Sequence, residues 1–263
     1  MKNKVFFSGP KEPELCGILT RDEMKKSGPA VVLCHGFTTS KDSRTFLELE
    51  KRLIGVGVGV LRFDFYGHGE SAGRFEEITV GTAVKNVKAA WNYLKEREFG
   101  PMGLVGSSFG GLAAALAAPD LDNLHALALK SPVTGSIVDL IVEREKINGE
   151  RWKDDGFIHL PFEQGEGIRL NYTFYEDGKT KSAFDRAREI GCPVLIIHGD
   201  RDESVPIEQS RDYSKHLRQG QLHVIQGADH RYSEPCHFTE MIDRLAGFLL
   251  ERLQVNSVPV SFR

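Results

Sequence analysis

The chain has 263 residues, 40% of them apolar, with 34 Lys plus Arg set against 37 Asp plus Glu. A net charge of −3 leaves no basic excess to neutralise phosphates, so neither nucleic acid nor an anionic membrane is expected as a partner. At this length one core buries about three quarters of the unfolded chain's surface, which removes the need for disulfides or a structural metal; one large α/β domain or two small ones remain open.

The N-terminus carries Lys2 and Lys4 without a long apolar stretch behind them, so no secretory signal is read and a cytoplasmic protein is expected. The longest apolar runs, 54–61 and 112–118, are far shorter than the roughly 18 residues that span a bilayer. Cys16, Cys34, Cys192 and Cys236 lack the paired spacing of a zinc or redox site and read as reduced and mostly packed.

Residues 4–8 and 14–20 read as two short strands around Gly9-Pro10, an antiparallel hairpin on a sheet edge. The run 30–35 is a buried strand stopped by Gly36, a helix fits 44–54, and 58–64 is a second buried strand. Val80, Ala83, Val84, Val87, Trp91 and Leu94 recur at helical spacing and form one apolar stripe. Strands at 102–106, 125–129, 193–198 and 221–226 then alternate with helices at 109–118 and 207–217, and a last helix carries Phe238, Met241, Ile242 and Leu245. This alternation predicts an α/β fold with a mostly parallel central sheet flanked by helices. Residues 132–182 break the rhythm. A loop of that length is unexpected in a compact domain, so they are read as an inserted cap with a helix over 137–147. The Gly-Val alternation of 55–60 enters a strand instead of leaving one, which argues against a dinucleotide loop.

Gly106-Ser107-Ser108-Phe109-Gly110 joins a strand to a helix. In that setting Gly-x-Ser-x-Gly forms a sharp turn that exposes its central hydroxyl above the sheet, making Ser108 the implied nucleophile. A glycine-rich packing turn would look the same in isolation, so the partners decide. A serine hydroxyl needs a base, normally a histidine oriented by a carboxylate, and in this architecture acid and base follow the nucleophile in the chain. Of the histidines beyond Ser108, His125, His198 and His223 fall in or at the ends of strands, His159 in the insert and His216 on a helix. His230 lies in a loop just past strand 221–226, at the sheet edge where α/β sites collect. His237, at the start of the last helix, is its competitor. After strand 193–198, Asp202 is placed to face the next loop, whereas Asp200 reads as a turn residue and Glu203 as solvated. Metal binding by these carboxylates is disfavoured by their irregular spacing. Oxyanion donors are expected from the backbone N–H of Phe109 and, in the loop after strand 30–35, from that of Phe37.

Taken together, His35-Gly36-Phe37-Thr38, the run Arg62 through Ser71, Gly106 through Gly111, His198 through Pro206 and Gly227-Ala228-Asp229-His230 resemble the serine hydrolases of the α/β-hydrolase superfamily. More narrowly they resemble bacterial cinnamoyl (feruloyl) esterase-like carboxylesterases. The resemblance implies a Ser108, Asp202 and His230 triad, Phe37 and Phe109 as oxyanion residues, no cofactor, and the insert as a small substrate-binding cap. Site elements running from Phe37 to His230 leave no place to cut the chain into two independent domains, so 1–263 reads as one domain with 132–182 inserted. The expected activity is a carboxylester hydrolase acting through an acyl-enzyme on small to medium, including cinnamoyl-type, esters. A serine peptidase, amidase or thioesterase shares every residue named, and a non-catalytic ligand-binding protein is the alternative from another class. The expected partner is a small ester, and a homodimer is left open.

Overall fold

The computed structural model describes residues 1–22, 27–161 and 167–255. The chain opens with an antiparallel hairpin of β1 (Lys2–Phe7) and β2 (Leu15–Thr20). It then alternates β3 (Ala30–Cys34), α1 (Arg44–Ile54), β4 (Gly59–Phe63), α2 (Val80–Lys95), β5 (Met102–Ser107), α3 (Phe109–Ala117) and β6 (Leu124–Lys130). An inserted stretch follows, with α4 (Ile137–Glu145), α5 (Gly149–Asp155), β7 (Phe157–Leu160), β8 (Ile168–Asn171) and α6 (Tyr172–Gly178). The alternation resumes with β9 (Val194–Gly199), α7 (Ile207–His216), β10 (Gly220–Ile225) and α8 (Pro235–Arg252).

Eight strands form one sheet in the order β1-β2-β4-β3-β5-β6-β9-β10. From β4 to β10 the neighbours are parallel, and the β1-β2 hairpin lies antiparallel on the β4 edge. The apolar runs follow from burial on both faces. In β3, Val31 and Leu33 pack into a core with Leu49 of α1 and Met241 and Leu245 of α8, whereas Ala30, Val32 and Cys34 pack into a core with Val87 and Trp91 of α2 and Leu112 of α3. Alternate residues therefore serve opposite layers, as the two-residue period of a strand requires. Burial of each such Val or Leu contributes about 1.5–3 kcal/mol.

The insert is built from pieces of four to nine residues, too short for any of them to show a clear period. Each helix start is signalled locally where a cap exists. The Ser136 hydroxyl accepts the Asp139 N–H, and the Asn148 side chain accepts those of Glu150 and Arg151. The helix predicted over 137–147 stops at Glu145 because Lys146 turns left-handed (φ 52°) and the Ile147 N–H folds back to the Val142 carbonyl. The insert is tied down where α6 meets the start of α2: Asp177 accepts the Gly81 N–H at 2.8 Å. Part of the predicted cap, 162–166, lies outside the described residues. No helix among the described residues is long and apolar enough to cross a membrane.

Buried charges fix two loops at the C-terminal edge of the sheet. Asp64, just past β4, is fully buried and accepts the Lys41 ammonium at 2.6 Å and the backbone N–H groups of Lys41 at 2.8 Å and Glu70 at 3.0 Å. The loop after β3 and the loop after β4 are thereby held by one carboxylate. Removing one partner of a buried pair strands the other, whereas replacing both with apolar groups does not. Asp64→Ala is therefore expected to lose about 3 kcal/mol or more of stability in urea unfolding, and an Asp64→Leu, Lys41→Met double variant to recover only the part due to the stranded ammonium, because the Lys41 and Glu70 N–H groups still lack their acceptor.

Candidate active site

β5 passes into α3 through Ser108, whose backbone is held at φ 54°, ψ −117°. A non-glycine residue there carries strain of about 1–3 kcal/mol and persists only where its surroundings enforce it. They do. The Ser108 N–H donates to the Lys130 carbonyl at 3.0 Å, and the Ser108 carbonyl accepts from Gly111 at 2.9 Å and Val133 at 3.1 Å. Both flanking glycines are required by close backbone approach. A Cβ at Gly106 would lie 2.5 Å from the Gly110 carbonyl oxygen, and one at Gly110 would collide with the carbonyl oxygens of Cys34 and His35.

The same approach brings the loop after β3 beside Ser108. A Cβ on Gly36 would sit 3.5 Å from the Ser108 Cβ. The Phe37 ring meets the Phe109 ring edge-on at 5.4 Å. Phe109 is the first residue of α3, so its N–H has no acceptor within the helix. Behind the loop, fully buried His35 donates Nδ1–H to the Gly36 carbonyl at 2.7 Å and accepts the Phe65 N–H on Nε2 at 3.1 Å. Burial, reinforced by His68, pushes its imidazole down to about 3, so it serves as a neutral brace. His68 Nε2–H donates to the Phe37 carbonyl.

On the other side, the Asp202 carboxylate is completely buried and His230 is 15% exposed. Asp202 accepts His230 Nδ1–H at 2.7 Å, the N–H groups of Ser204 and Val205 at 2.9 and 2.8 Å, and His198 Nε2–H at 3.1 Å. Burial alone would raise this carboxyl, but the hydrogen bonds from His198, His230 and Val205 outweigh it and hold Asp202 well below the usual carboxylate range. His230 is also shifted downward, but by a different cause: burial lowers its pKa and nearby Lys130 adds to the effect, against the pull of Asp202. The ring is therefore neutral at pH 7, with its proton on Nδ1 and a lone pair on Nε2. A strained serine, a neutral imidazole and a buried carboxylate at one sheet edge are equipped for nucleophilic attack and proton transfer. Among the described residues no group of three His, Cys, Asp or Glu side chains is placed to hold a metal ion.

A family model described as Hydrolase_4, serine aminopeptidase S33, matches residues 25–150. Est1E from Butyrivibrio proteoclasticus, solved with ferulic acid bound, is 27% identical and superposes with a TM-score of 0.80, covering 95% of this chain and 100% of that one. The chain has the α/β-hydrolase fold and resembles the hydrolases of that superfamily. Sequence relatives include the mitochondrial palmitoyl-protein thioesterase ABHD10 of Rattus norvegicus, 26% identical over 93% of this chain and 85% of the relative. The Bos taurus protein of the same name is 28% identical over 93% of this chain and 83% of its own.

In this α/β-hydrolase fold, His237 lies on α8 with its ring beside Gly227, and His230 is the histidine that meets Asp202. Asp200 holds the turn by accepting the Gly227 N–H at 2.5 Å. Glu203, expected to be merely solvated, instead accepts the His230 N–H at 3.2 Å while remaining exposed. Two residues at the site escape a reading of the sequence. His198, fully buried, bonds Ser210 Oγ through Nδ1 at 2.6 Å and shares its Nε2–H between the Val205 carbonyl and Asp202. Lys130 donates to the His230 carbonyl at 2.5 Å. The available signals were a histidine four positions before the acid and a lysine ending an otherwise apolar strand.

These couplings have a measurable sign. In an NMR titration the His230 imidazole is expected to titrate below its ordinary value, and Asp202→Asn to lower it further, because the carboxylate that stabilises the imidazolium is gone. A value above the ordinary one in the wild type would contradict the assignment of burial as the dominant cause.

Proposed function

We propose that the protein is a serine hydrolase that cleaves carboxylic esters through an acyl-enzyme, with Ser108 as nucleophile, His230 as base and Asp202 as its orienting acid. The observation that carries this reading is the buried Asp202–His230 pair at the edge where the strained turn presents Ser108. His230 Nε2 takes the hydroxyl proton as Ser108 Oγ attacks the carbonyl carbon. The N–H groups of Phe37 and Phe109 receive the charge that develops on the carbonyl oxygen. His230 then returns the proton to the departing alcohol, leaving an ester on Ser108. Water, deprotonated by His230, attacks that ester and releases the acid.

The surroundings favour an uncharged, apolar acyl group. The Phe37 ring packs against Phe75, Phe109 and Phe174 at 5.2–5.4 Å, and Phe174 comes from α6 of the insert. We place the insert as a cap over the site on that contact. Similarity to Est1E with ferulic acid bound supports phenolic esters as the substrate class. Similarity to palmitoyl-protein thioesterase ABHD10 favours a second reading, a thioesterase using the same steps with a thiolate as leaving group.

A fluorophosphonate probe is expected to label the wild-type protein and to leave Ser108→Ala unlabelled. Turnover of methyl ferulate, p-nitrophenyl esters of increasing acyl length, a matched thioester and a matched anilide then assigns the bond. Equal labelling of both proteins would refute the proposed nucleophile, and faster cleavage of the thioester than of its ester counterpart would favour the second reading.

A further inference from the structure

Lys130 ends β6 with only 5% of its surface exposed, and it serves two loops at once. Its carbonyl accepts the Ser108 N–H at 3.0 Å. Its ammonium donates to the His230 carbonyl at 2.5 Å and lies 5.0 Å from the centre of the Tyr232 ring. Among the described residues no carboxylate stands within salt-bridge distance; Asp202, Asp229 and Glu203 attract it from farther away, and Arg231 opposes them.

Such a placement is costly. Burial pushes the ammonium down from 10.5 to about 8. Because the folded value lies below the unfolded one, the cost is fully present below about pH 8 and fades as the pH rises toward 10.5. An apolar side chain at the end of this strand would avoid it. A buried cation kept at a net cost, bonded to the backbone of a proposed catalytic base, fits a functional use better than a packing one.

We infer that Lys130 is a positioning residue of the proposed reaction, fixing the separation of nucleophile and base by holding Ser108 through its carbonyl and His230 through its ammonium. The inference rests on the reading of Ser108 and His230 given above. The two contacts arise from one residue, so the nucleophile turn and the base loop cannot shift independently while both are made. The ammonium also has an electrostatic effect. His230 faces Asp202 and Glu203 from the loop after β9 and Lys130 from β6, with Asp229 and Arg231 beside it in its own loop and His198 acting through Asp202. The Lys130 charge opposes formation of the imidazolium, which keeps the resting base unprotonated.

The test compares wild type, Lys130→Met, Lys130→Arg and Lys130→Gln in the full chain, with p-nitrophenyl acetate as substrate and circular dichroism as a check on folding. Lys130→Met is expected to lower kcat by roughly 10- to 100-fold with little change in KM, as misplacement of reacting groups does. The acid limb of its kcat/KM profile is expected to move to higher pH, because the charge that opposed the imidazolium has gone. Lys130→Arg keeps the charge and is expected to leave that limb in place. Should the Met variant fail to fold, Lys130→Gln is read in its stead, with the same upward shift expected. A wild-type kcat and an unmoved limb in the neutral variant would overturn the inference. Fluorophosphonate labelling of the same samples separates the two levels: a wild type that labels on Ser108 sustains the hydrolase reading whatever the Lys130 variants do, and a wild type that does not label refutes that reading itself.

Discussion

A carboxylate removed from water must be surrounded by donors, and much of this site is arranged around meeting that requirement for Asp202. The backbone N–H groups of Ser204 and Val205 turn back onto it, His198 reaches it from the end of β9, and His230 arrives from the loop after β10. Left unpaired, such a charge would cost several kcal/mol. Because each donor lies on a strand of the sheet or in a loop that directly follows one, satisfying the carboxylate also fixes the imidazole. Its Nδ1 is committed, its tautomer is set, and Nε2 is the nitrogen left for chemistry. The ordering of the imidazole is thus a consequence of solvating the carboxylate.

Two other constraints converge on the same edge. The first is steric: Gly106 and Gly110 let β5, α3 and the end of β3 approach more closely than any side chain allows, and that approach seats the Phe37 loop next to Ser108. The second is electrostatic: Asp64 gathers Lys41 and the Glu70 backbone and so anchors that loop from behind. The insert adds a third layer, with Phe174 packed against both Phe37 and Phe109. A change in the position of α6 would therefore be felt at the groups proposed to hold the oxyanion.

The parts of this arrangement legible in the sequence are those with a local signature. The buried strands announce themselves as apolar runs because both faces are covered, and the Ser108 turn because its glycines have fixed spacing. Asp202 and His230 stand out because each follows a strand at the edge where loops converge. The interior of the insert was not legible: its elements are too short to carry a period, and α4 ends at a left-handed Lys146 that composition does not foretell. Lys130 and His198 show no site role in the sequence for a different reason. A lysine closing a strand normally reaches solvent, and a histidine at a strand end normally packs. What makes them part of the site is the neighbour each acquires from another strand or loop, and Glu203 illustrates the same point by bonding the His230 backbone from an exposed position.

The central claim is that Ser108 carries the acyl group between two chemical steps. Rapid mixing with p-nitrophenyl acetate, followed by acid quenching and mass analysis, tests it directly. The account predicts a burst approaching one p-nitrophenol per chain before steady turnover, accompanied by one acetyl group on the peptide containing Ser108. Turnover without a burst and without an adduct on that peptide, or an adduct on another residue, would contradict it.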